Sequence, residues 1–181
     1  MTVAGCIPVL IEEWQIGAAE AGSIVSGFYF AYAFSLMGFS WLGDHIGAKR
    51  AVEISAWITT FASVSFGCFA NDFASSLIFY SLLGLSQGGI YTPLIALFRE
   101  NSEPNRLGTA IGWLIASTSV GYATSLLLTG LSLAYGGWQF AFLLTGLLPA
   151  IGTLLLLIVI RPLPNKTHNQ NLTAGLWSHL R

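Results

Sequence analysis

The residues best suited to holding a solute lie on one helical stripe: Gly84, Gln87 or Gly88, Tyr91 and Ile95 recur every three to four positions inside an apolar run. Gln87 offers amide donors and an acceptor, and Tyr91 a phenol. Such groups are costly against hydrocarbon and turn toward protein or a wet cavity. Gly84-x-x-x-Gly88 is equally a small-residue pattern that brings helices together, so cavity lining and helix packing both stand for this face. A second stripe, Ser117, Gly121, Thr124 and Ser125 with Tyr122 beside it, favours packing over solute contact. Tyr29 and Tyr32 could reach the same interior, although a membrane tyrosine often only seeks a partner for its polar tip. The chemistry on offer is reversible hydrogen bonding. A membrane enzyme would need a nucleophile, base or metal ligand at depth, yet His45, His168 and His179 fall outside the apolar runs and Cys6 and Cys68 lack metal-type spacing. No catalytic residue, metal site or cofactor is expected.

These stripes need elements to carry them, and the chain supplies five nearly uncharged apolar runs at 22–42, 51–70, 76–98, 108–134 and 138–160. Each has about the 20 residues that a helix needs to cross roughly 30 Å of hydrocarbon. Charged residues make up 8% of the chain, against about 25% in an ordinary soluble domain. Lipid is therefore the expected outer solvent, and the fold class is an all-α, polytopic membrane helical bundle. Lys49, Arg50, Arg99, Arg106, Arg161, Lys166 and Arg181 all fall in alternate connectors or the tail, and residues 12–21, 71–75 and 135–137 hold no base. The positive-inside rule puts the first set, and the C-terminus, in the cytoplasm. No nucleic-acid partner is expected.

The connector between the first two full runs reads Ser40-Trp-Leu-Gly-Asp44-His-Ile-Gly47-Ala-Lys49-Arg50. Taken alone it is a tight, charged turn in which Gly47 tolerates backbone angles that other residues resist, and Asp44 can accept bonds from helix-end amides or pair with a base. It also resembles the signature loop between helices 2 and 3 of the major facilitator superfamily, G-x-L-A-D-R-x-G-R-R. Leu42, Asp44, Gly47 and Lys49 keep the pattern; Ser40, His45 and Ala48 depart from it, which weakens the loop's charge. Leu83-Gly-Leu-Ser-Gln87-Gly88-Gly89, Glu103-Pro-Asn-Arg106 and Trp138-Gln-Phe-Ala-Phe142 are similar to the family in the matching order. The resemblance covers residues 1 to about 162. It implies the end of helix 1 plus helices 2 to 6 of a twelve-helix transporter, built from inverted three-helix repeats, with Asp44, Gly47, Lys49, Arg50 and Arg106 in a conformational latch. Gly5-Cys-Ile-Pro8-Val-Leu-Ile11 and Gly89-Ile-Tyr-Thr-Pro93-Leu-Ile95 are a short internal echo of such a repeat. Two marks of some relatives are absent: Gly84 stands where proton-coupled members often have Arg, and Gly121 is followed by Tyr122 rather than Pro.

The expected function is secondary transport of a small solute by alternating access, in a cell membrane of the bacterial inner-membrane kind. The solute, the bilayer and either a missing C-terminal half or a second copy are the expected partners. A non-functional truncated fragment, or a membrane-embedded enzyme, are the alternatives. Residues 3–11 are too few to span and read as the outer end of a first helix whose beginning is missing, and 1–160 as the transmembrane bundle. Residues 161–181 turn polar after Pro162 and Pro164, as in a cytoplasmic linker or tail, with local disorder expected at 165–173.

Overall fold

The computed structural model describes residues 2–165. Five helices follow one another: α1 Thr2–Glu13, α2 Ala18–Ile46, α3 Ala48–Phe69, α4 Phe73–Asn101 and α5 Pro104–Ile160. No strand occurs among the described residues. The expectation for the tail from residue 166 onward lies outside the described residues.

Straight, the 57 residues of α5 would reach about 86 Å, close to three hydrocarbon cores. The helix is not straight. Gly137 has φ 74 and ψ −174, a region essentially reserved for glycine, and the chain reverses there. Packing proves the reversal, because Leu114, Leu156 and Leu157 gather in one apolar cluster with Ile160, while Gly121 and Pro149 line one cavity. α5 is thus two arms, 104–136 and 138–160, and the expected connector at 135–137 contracts to a single non-helical residue. α2, α3, α4 and α5 are each long and apolar enough to cross a membrane. With α5 folded in two, the five expected runs coincide with α2, α3, α4 and the two arms.

Small residues let these helices approach closely. A Cβ on Gly84 would run into the backbone of Phe28, and one on Gly88 into Ser35, so α2 and α4 meet nearly backbone to backbone. Gly67 and Gly146 do the same for α3 and the second arm of α5, where a Cβ on Gly146 would come within 2.8 Å of the Ser63 carbonyl. Hydroxyls tie the same contacts and the α3–α4 contact as well: Ser63 Oγ donates to Gly146 O at 2.9 Å, Thr60 Oγ1 to Thr153 Oγ1 at 2.7 Å and Ser35 Oγ to Leu85 O, while Ser55 Oγ joins α3 to α4 by donating to Ser86 O at 2.5 Å. Each such bond between membrane helices contributes about 0.6 kcal/mol. Large apolar side chains such as Phe30, Trp113, Leu127 and Val159 point outward, as they must where the surrounding solvent is lipid.

Two apolar clusters mark the ends of the bundle. One joins Val3, Cys6, Leu10, Ile24, Phe66, Trp138 and Phe142, so α1 is a packed part of the bundle. The other joins Ala48, Val52, Leu94, Leu97 and Ile160, with Leu114 and Leu163 against it. Lys49, Arg50, Arg99 and Arg161 adjoin this second cluster in sequence, so the described bases collect at that end.

Candidate functional site

α2, α4 and the first arm of α5 converge around a cavity of about 340 Å³ walled by Phe28, Tyr29, Tyr32, Tyr80, Gln87, Thr118, Gly121, Tyr122 and Ser125. A second cavity of about 460 Å³ shares Tyr80, Leu83, Gln87, Gly121 and Ser125 with it and extends to Ser63, Phe66, Thr124, Thr145 and Pro149. The two are neighbours in one interior. Gln87 stands in the wall they share, half-buried, and its amide has no protein hydrogen bond among the described residues. An amide in that position is free to bind what enters.

The aromatic wall is held by ring contacts. Phe28 stacks with Tyr32 at 6.2 Å between centroids and lies 4.8 Å from Tyr80, which in turn sits 5.4 Å from Phe66. At the rim, Tyr29 and Tyr122 face each other with hydroxyl oxygens 3.0 Å apart, bridging α2 to α5. Only one of the two protons fills that bridge, so the pair keeps one O–H to donate elsewhere. Tyr91, one turn beyond Gln87 on α4, lines neither of these two cavities.

The structure therefore distributes the sequence candidates unevenly. Gln87, Tyr29 and Tyr32 line the interior. Gly84 sits against the α2 backbone and is buried there, which is the packing side of its two readings. Ser117 is exposed and donates to Leu114 O at 2.8 Å; its neighbour Thr118 is exposed too and donates to the same carbonyl at 3.0 Å, yet it lines the smaller cavity where Ser117 does not. Tyr80 and Thr118 lay outside the sequence reading. Their signal was available only as helical spacing from Gln87 and from Tyr122.

At the base-rich end, the α2–α3 turn is built on Gly47, with φ 92. Lys49 Nζ donates to the carbonyls of Arg161 and Leu163, both at 2.8 Å. Asp44 is exposed and forms no bond or ion pair among the described residues. Arg106 pairs with Glu103 at 3.5 Å, within its own helix start rather than with the turn. Of the five latch candidates, Lys49 thus ties to the segment that follows α5, and Gly47 and the Arg50 backbone N–H meet Asn165 of the same segment.

Known proteins resemble most of this chain. The family model of the Major Facilitator Superfamily matches residues 1–181. The benzoate transport protein of Acinetobacter baylyi is 27% identical over 162 residues, covering 87% of this chain and 34% of that protein. The niacin transporter of the same organism is 28% identical, covering 82% of this chain and 34% of that protein. A probable hexose phosphate transport protein of Chlamydia pneumoniae is 29% identical, with 84% and 33% covered. The chain thus spans about a third of the length of the curated relatives it matches.

Proposed function

The chain belongs to the Major Facilitator Superfamily and is a multi-pass membrane protein; from that premise we propose that it supplies one half of a secondary carrier, which moves a small solute by alternating access. Gln87 is the observation that carries this reading: an unpartnered amide in the wall between two cavities, amid tyrosines and small hydroxyl residues. Two bundles rocking about a site at mid-depth need such reversible contacts and no covalent step.

The rings also speak to the kind of solute. Phe28, Tyr32 and Tyr80 pack into one aromatic wall, and Tyr29, Tyr122 and Gln87 line the same cavity. A planar ring with one or two hydrogen-bonding groups suits that wall, as benzoate or niacin would, better than a sugar phosphate. The outward faces of α2 and the first arm of α5, with Phe34, Trp41, Trp113 and Leu127 exposed, flank the Tyr29–Tyr122 rim and are the surface offered to a second bundle or a second copy of this chain. The bases gathered at one end favour a cytoplasmic position for that end and for the segment leaving α5 at Arg161.

The test is binding of benzoate and niacin to the purified chain in detergent, followed by tyrosine and tryptophan fluorescence. Gln87→Leu is expected to weaken binding about 2- to 10-fold, the worth of one hydrogen bond, with unchanged abundance and helicity. An equal affinity in the variant, or a loss of abundance matching the loss of binding, contradicts the assignment.

A further inference from the structure

Gly47 ends α2 and begins α3, and it has no side chain with which to cap either helix. The ladder of α3 starts only with Ala51 N–H bonding Gly47 O at 3.1 Å, which leaves the earlier amides to find partners elsewhere. One partner comes from far along the chain. Asn165 Nδ2 donates to Ile46 O at 2.9 Å, at the end of α2, and Asn165 Oδ1 accepts from the Arg50 N–H at 3.4 Å, in the first turn of α3. The missing side chain at Gly47 is what makes room, since a Cβ there would lie 2.7 Å from the Asn165 amide carbon and nitrogen.

A second tie runs the other way. Lys49 Nζ donates to the carbonyls of Arg161 and Leu163, at the C-terminal end of α5, where a cation meets the negative end of the helix dipole. Leu163 packs into the cluster of Ala48, Val52 and Leu97 between these polar ties. The segment 161–165 is thereby folded back onto the α2–α3 turn by side chains from both partners.

We propose that Asn165 caps α2 and α3 in trans and, with Lys49, forms a clasp that makes the segment leaving α5 and the α2–α3 turn move as one body. Displacement of that segment then uncaps α3, and displacement of the turn releases the segment. The inference is independent of the cavity and of any solute.

Hydrogen exchange of the 181-residue chain in lipid nanodiscs, read at the Arg50 amide, tests it. Asn165→Ala should speed that exchange at least about threefold, while amides 94–97 in α4 keep their wild-type rates. Asn165→Asp retains an acceptor for the Arg50 N–H and should hold exchange there near wild type. Lys49→Gln, which loosens the segment, should also speed exchange at Arg50. The clasp is overturned if Asn165→Ala leaves Arg50 unchanged, if Asn165→Asp speeds it as much as Asn165→Ala does, if Lys49→Gln leaves it unchanged, or if α4 exchanges faster to the same degree.

Discussion

Single side chains decide two matters here: which glycine is structural and which polar group is exposed to a ligand. Gly84 has its Cβ position filled by the Phe28 backbone, so Gly84→Val should destabilise the bundle by about 1–3 kcal/mol, the usual cost of overpacking a tight contact. Thermal unfolding in detergent would show this as a lowered midpoint, where Gly108→Val, with nothing near its Cβ position, would change it little. The α3–α4 turn supplies a titration. The Ser75 hydroxyl, and then its amide, hold the Asp72 carboxyl below the ordinary carboxylate range, because both bond the charged form. A depressed folded value means that this cap is fully present above the ordinary range and is lost as pH falls through the lower folded value. Exchange at the Ser75 amide, bonded to Asp72 Oδ1 at 2.7 Å, should therefore show an acid-side loss of protection that Asp72→Asn removes; a titration that persists in the variant contradicts the cause.

At the scale of elements, the apolar runs carried nearly all the information. Their lengths and the short connectors between them foretold α2, α3, α4 and both arms of α5, since burial in lipid demands uninterrupted helix. Rotation of each helix about its axis was not legible. One residue is 100° of helix, which is why Thr118 lines the cavity and Ser117 does not, and why Tyr80 joins the wall although the stripe on its own helix begins at Gly84. The tie between Gly47 and Asn165 was equally hidden, because local patterning says nothing about partners so distant in sequence. Gly137 is the testable element-scale feature. Gly137→Val should cost about 1–3 kcal/mol through backbone strain, and Gly136→Ala is no control because its Cβ would press on Phe140 at 2.7 Å; Gly130→Ala, in open space, serves instead and should be nearly neutral.

For the whole molecule, everything rests on a bundle whose described bases gather at one end and whose α5 crosses, reverses at Gly137 and returns. The family membership agrees with that architecture, and the cavity between α2, α4 and α5 makes sense only inside it. Sidedness is the property that every other inference inherits. The direct measurement is labelling of single cysteines in intact cells by a membrane-impermeant maleimide, with Cys6 and Cys68 replaced by Ser. Asn71→Cys, in the α3–α4 turn, and Tyr135→Cys, 88% exposed beside the α5 reversal, should label from outside. Asn105→Cys, at the start of α5, should label only after the cells are opened. Labelling of Asn105→Cys in intact cells, or protection of Tyr135→Cys with Asn71→Cys reactive, would contradict the account.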